Sequence, residues 1–184
     1  MPTTDSQREL AKRKLLTMLS FHNHTKLHAL LTALTLLCSL QLAIAGDLPD
    51  PNLTPGALNS SITQENIQST ICVKGYTKTI RPPAYYTNKL KKQQIVKYGY
   101  ADTNPQHYEE DHLIPLSIGG SPNDPKNLWP QPRISEWNAQ KKDILELKLY
   151  KLVCNGSVSL DEARLAISRN WILANKYYLQ QPNY

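Results

Sequence analysis

Apolar and polar positions divide the chain into zones that predict different structures. The first is an apolar run from Ala29 to Ala45, interrupted only by Thr32, Thr35, Ser39 and Gln41. Residues 46–66 (GDLPDPNLTPGALNSSITQEN) follow, rich in Pro, Asn, Ser and Thr. Such a segment has little to bury and predicts a flexible linker, so a folded domain is expected over 67–184, beginning near Ile67. Within that domain the apolar islands are short. Residues 69–78 mix β-branched and aromatic positions around Cys72 and predict a short strand. Arg81-Pro82-Pro83 fixes an extended segment. Thr87 is placed to cap a helix over 88–97. Residues 110–117 alternate loosely and break at Pro115, which fits two short strands or a hairpin turning at Gly119-Gly120. The chain could return as a strand end at 127–129.

Longer periodic segments close the chain. Ser135 is placed to cap a helix over about 136–153, whose Ile144, Leu145, Leu147, Leu149 and Leu152 form a wide apolar face ended by Asn155-Gly156. Ser159-Leu160-Asp161-Glu162 reads as a capping box opening a helix over about 160–179. Ala163, Ala166, Ile167, Trp171, Ala174 and Tyr178 share one face of it. Short strands followed by helices predict an α+β domain.

The compartment changes how the charge is read. Lys12, Arg13, Lys14 and Lys26 precede the apolar run, and Ala43-Ile44-Ala45 ends it in a small-x-small pattern. That order predicts a signal peptide over 1–45, with Met18 a possible true start. An uncleaved membrane anchor is the alternative, although an apolar core of about 17 residues is at the lower limit for a span. Export, to a periplasm or beyond the cell, is therefore expected, with no stable membrane insertion once the leader is removed. The whole chain carries a net charge of +6. Residues 1–45 hold five of its 21 basic and two of its 15 acidic side chains, so the remainder carries 16 and 13, a net +3. That balance tolerates a polyanionic partner without demanding one.

Outside the leader only Cys72 and Cys154 remain, and a pair in an exported chain predicts a disulfide. Only His107 and His112 remain of the five histidines, which leaves too few ligands for a zinc site built from several His and Cys.

His112 lies in the stretch YEEDHLIPLSIGGSPNDPKNLWP, residues 108–130. A neutral imidazole can take a proton from water, and a carboxylate can hold a hard divalent cation. In phosphodiester cleavage these two tasks belong together. The pair Asp111-His112 offers both, although the dipeptide alone is as often a surface contact. Lys89, Lys91, Lys92 and Lys97 on the 88–97 helix form either a solvated face or a phosphate-contacting one. Lys141, Lys142, Arg133 and Arg81 are the other candidates for substrate phosphates.

The string DHLIPLSIGGSPNDPKNLWPQPRISEWNAQKKD resembles the HNH endonuclease family of ββα-metal nucleases, in an exported bacterial form. The resemblance implies a small ββα-metal core with a short antiparallel hairpin, braced by the extra helices and the disulfide. It implies a general base at His112, a metal ligand at Asp111, a bracing asparagine at Asn127 and a second metal ligand at Asn138. Glu136 is the substitute for Asn138, and Glu110 a further metal or supporting group. The implied cofactor is a divalent ion, Mg²⁺ first and Mn²⁺ next. The implied activity is metal-dependent cleavage of nucleic acid, DNA ahead of RNA, with low sequence specificity. The chain departs from the family pattern in lacking paired CxxC knuckles, in ending on Asn rather than His, and in a slightly long spacing from Asn127 to Asn138. A non-catalytic module binding nucleic acid or an envelope partner is the rival reading.

Overall fold

A computed structural model describes residues 46–180; the expected leader, with Met18 and Cys38, lies outside the described residues. The described chain mixes helix and sheet. A short helix α1 (Tyr76–Ile80) leads into α2 (Ala84–Lys97), followed by strand β1 (Tyr108–His112) and strand β2 (Leu128–Pro132). Two helices follow, α3 (Ala139–Cys154) and α4 (Leu160–Gln180). The strands form one antiparallel hairpin in which His112 faces Leu128 and Tyr108 faces Pro132. Helix α2 packs on this hairpin, and α3 packs on α4.

The main core lies between α3, α4 and the turns beside them. Leu145, Leu149, Leu152 and Val153 of α3 meet Ala163, Ile167, Trp171, Ala174 and Tyr178 of α4. Ile114 and Ile118 of the hairpin loop and Ile62, Ile67 and Ile71 of the N-terminal part complete it. The expected stripe on α4 is therefore the buried one, and Ser159 Oγ caps the helix by accepting the Glu162 N–H at 3.2 Å. The helix is not continuous: Asn170 adopts an extended backbone (φ −165, ψ 96), and its side chain restarts the helix by accepting the Leu173 N–H at 3.0 Å.

Several expectations are corrected. The strand expected over 69–78 is absent; a 3-10 turn (Gln64–Ser69) and α1 stand there, joined through Gly75 at φ 88. Helix α2 begins a turn before Thr87, because Pro83 holds the extended backbone that starts it, and Thr87 instead donates its hydroxyl to Ala84 O. Asn138, not Ser135, caps α3. The face of α3 also differs. Ile144 and Leu147 are 57% and 53% exposed, while Lys142 joins Leu145, Leu149 and Leu152 on the buried side.

The segment expected to be a linker is bound to the body. Gly56 N–H donates to Lys126 O, Asn59 N–H to Gly119 O, and Ser121 N–H to Ala57 O. Thr54 and Ile62 are buried, and Trp171 Nε1–H donates to Asp47 O at 2.9 Å. Cys72 and Cys154 stand at disulfide distance, Cα to Cα 5.6 Å, across a separation of 82. On the chain-entropy model a loop of that size stabilises the fold by about 4–5 kcal/mol. Among the described residues no helix is long and apolar enough to cross a membrane.

Candidate functional site at the first strand

Because strand side chains alternate, β1 presents two different faces. Glu109, Glu110 and His112 line a cleft beside α2, and Asp111 meets Lys142 of α3. The α2 side is an open polar cleft of about 240 Å³. Glu109, Glu110 and His112 line it with Arg81, Lys91 and Arg133, and Glu109 pairs with Arg133 at 3.1 Å.

His112 is 5% exposed and fixed through its ring. Its Nε2 lies 2.9 Å from the Pro122 carbonyl. A carbonyl only accepts, so Nε2 carries the proton and Nδ1 is left as the basic nitrogen. Burial pulls the imidazole below its ordinary range, against the Pro122 carbonyl and the Asp111 charge, so it is neutral at pH 7. The Pro122 carbonyl belongs to the long loop between the strands, and Asn127 holds that loop. Fully buried, Asn127 accepts the Ile114 N–H at 3.0 Å and donates to Ile114 O at 2.9 Å and Ser121 O at 3.0 Å. Gly120 completes the closure: a Cβ there would stand 1.8 Å from Ile114 O. Asn127 therefore braces the loop that orients His112 and does not itself line the cleft.

Asp111 faces α3 and meets a residue that sequence reasoning placed elsewhere. Lys142 was expected to reach substrate phosphates, but its side chain is 0% exposed. Its ammonium donates to Asp111 Oδ2 at 2.7 Å, to the His112 carbonyl at 2.6 Å, and to Glu146 Oε1. All three protons are used, which corrects the substrate role. Burial alone would lower the lysine, yet the charges of Asp111 and Glu146 overcome it and hold the ammonium above its ordinary range. Burial raises Glu146, with Lys142 opposing. The spacing of Lys142 and Glu146, one helical turn apart, was the available signal for this cluster.

The other expected residues are dispersed. Asn138 accepts the Lys141 N–H at 3.1 Å as the cap of α3, and the α3 side chain bonded to Asp111 is Lys142. Lys141 lies over the Trp137 ring, 4.8 Å from its centroid, and does not line the cleft. Glu136 does not line it either. Trp129 of β2 is fully buried. His107 is partly exposed and bonded to Asp102. Arg81 and Arg133 do line the cleft, and Lys91 joins them from α2. Lys91 donates to Tyr108 O at 3.1 Å, and burial, then Arg133, pulls its ammonium down.

The donor set can be tested against the expected divalent ion. Among the described residues no group of three or more His, Cys, Asp or Glu forms a metal cage. Asp111 has one oxygen committed to Lys142, and the Asn138 oxygen is committed to a backbone N–H. Glu110 differs. Both its carboxylate oxygens are buried without a hydrogen-bond partner, and burial pushes it up to about 8, with Lys91 opposing. Glu110 is thus a carboxyl with uncommitted oxygens that burial keeps protonated near neutral pH. No family model, curated protein or solved structure matches the chain.

Proposed function

We propose that the protein is an HNH-type endonuclease that hydrolyses nucleic-acid phosphodiester bonds. The observation that carries this reading is His112: a buried, neutral imidazole, its tautomer set by the Pro122 carbonyl, in a cleft bearing Arg81, Lys91 and Arg133. The sequence resemblance of residues 109–142 to HNH enzymes supports it independently. In the proposed reaction His112 Nδ1 takes a proton from water. The water oxygen bonds to phosphorus, the bond from phosphorus to the 3′ oxygen breaks, and that oxygen takes a proton from solvent. The three cations hold the scissile and neighbouring phosphates and oppose their charge. A divalent ion, Mg²⁺ or Mn²⁺, supplies further neutralisation of the phosphate and the leaving oxygen when bound. Low sequence specificity goes with this reading, since recognition by phosphate contacts carries no base information. The Cys72–Cys154 pair supports an exported, oxidising setting.

The purified protein is expected to degrade plasmid DNA with Mg²⁺ or Mn²⁺. His112→Ala is expected to lower the rate by ~10²–10⁴ with an unchanged circular dichroism spectrum. Wild-type rates in that variant would refute the assignment. One observation favours the rival, a binding module of the same fold: Lys142 already neutralises Asp111. DNA retention without cleavage, equal with and without metal, would select that reading.

A further inference from the structure

We propose that the solvent face of α2 is a track for an unpaired nucleic-acid strand, with Tyr85 as the platform on which one base stacks. The inference deepens the nuclease reading by naming its substrate class, single-stranded nucleic acid, and rests on that reading for cleavage. Binding of the strand stands on the surface itself.

Helix α2 has three sides. Ala84, Thr87, Asn88 and Lys91 line the cleft, and Gln94 and Ile95 are buried. The third side meets solvent. On it Tyr85, Lys89, Lys92 and Val96 recur at i, i+4, i+7 and i+11, which places them in one stripe. Tyr85 is 79% exposed. It stands three residues before Asn88 of the cleft wall, so the two are neighbours on the helix and the stripe runs on from the cleft. Among the described residues neither Lys89 nor Lys92 pairs with a carboxylate.

An exposed tyrosine alone would be ordinary. Tyr85 instead lies between a cleft bearing Arg81, Lys91 and Arg133 and two lysines whose charge is unmatched. Cations that follow a phosphate backbone, with an aromatic ring among them, are how proteins hold single strands without reading sequence. A duplex keeps its base faces stacked inside, so only an unpaired strand can offer a base to Tyr85 while its phosphates meet the lysines. The stripe covers about 16 Å of helix, long enough for more than one phosphate. It does not suit a membrane surface. Tyr85 and Val96 are its only apolar members, too little apolar area to hold a helix in the headgroup region.

The test uses the full chain carrying His112→Ala, so that bound strands stay intact. Fluorescence anisotropy reads its affinity for a single-stranded DNA oligonucleotide and for a duplex of the same length. The single strand is expected to bind more tightly. Adding Tyr85→Ala should weaken single-strand binding by at least about fivefold, the lower end for loss of one base stack, and leave duplex binding as it was. Tyr85→Phe, which keeps the ring, should retain the affinity. Lys89→Ala and Lys92→Ala should each flatten the dependence of log affinity on log salt by about 0.7. Circular dichroism melting checks that each variant folds. Unchanged single-strand affinity in Tyr85→Ala, equal losses for single strand and duplex, or binding to vesicles of phosphatidylglycerol and phosphatidylcholine without binding to the oligonucleotide would each overturn the inference. Cleavage assays on the chain with His112 intact keep the two readings apart. Strand binding that depends on Tyr85, without any cleavage, supports the track and refutes the nuclease. Cleavage with single-strand affinity indifferent to Tyr85 does the reverse.

Discussion

The two sides of β1 carry acidic residues next to each other in sequence but treat them in opposite ways. On the α3 side Asp111 is closed in: its charge is matched by Lys142, which also holds the His112 carbonyl and Glu146. On the α2 side Glu110 is left open, with no hydrogen bond and with Arg81, Lys91 and Arg133 around the same cleft. The first arrangement fixes the end of the strand. The second leaves capacity for something to bind. His112 belongs to both sides: its backbone carbonyl is held by Lys142, and its ring lines the cleft.

The largest effect should come from emptying the closed side. Lys142→Met leaves Asp111 and Glu146 as largely buried, unmatched carboxylates, and is expected to cost about 3–5 kcal/mol in urea unfolding. Adding Asp111→Asn and Glu146→Gln should recover most of it, because the penalty lies in the unpaired charges. A loss under about 1 kcal/mol for the single variant would mean that the cluster is hydrated and that the two sides are not so different. Next in size, Asn127→Ala removes three buried hydrogen bonds and should cost about 3 kcal/mol. It should also slow DNA cleavage, since the Pro122 carbonyl loses its brace.

Smaller effects sharpen the open side. Arg81→Ala or Lys91→Ala should each flatten the dependence of log affinity on log salt by about one unit if each meets one phosphate. An unchanged slope would remove that residue from the interface. The last prediction concerns pH. Glu110 rises from 4.5 to about 8 on folding, so the native state binds the proton more tightly than the unfolded chain. Its contribution to stability is complete below pH 4.5 and is lost as pH rises toward 8. Urea unfolding across that window with EDTA present should show the decline, and Glu110→Gln should flatten it.

Some of this was readable from residues alone. The terminal helix was, because its stripe recurs at helical spacing and Ser159 announces its start. The cysteine pair was, because only two cysteines lie beyond residue 45. The face of α3 differs from its apolar pattern because apolarity alone does not mark burial there. Lys142 occupies the buried stripe with Leu145 and Leu149, and Ile144 and Leu147 face outward. A lysine can sit there only because two carboxylates and a carbonyl meet its protons, and those partners come from β1 as well as from α3. The 46–66 segment was misread for a different reason. Its attachment runs through backbone N–H and C=O groups of Gly56, Ala57 and Asn59, which leave no trace in side-chain pattern. Asp111-His112 and Asn127 stood out in the sequence, but the cleft did not, since Arg81, Lys91 and Arg133 reach it from separate segments.

The Cys72–Cys154 link has a topological consequence. Arg81, Lys91, Glu110, His112, Asn127, Arg133 and Lys142 all lie on the stretch of backbone that it closes into a ring. A protease that nicks the Ser121–Lys126 loop would therefore open the ring without releasing either piece. The nicked protein should run as one species on a non-reducing gel and as two after reduction. A severed chain of this kind would keep both halves of its cleft on one molecule.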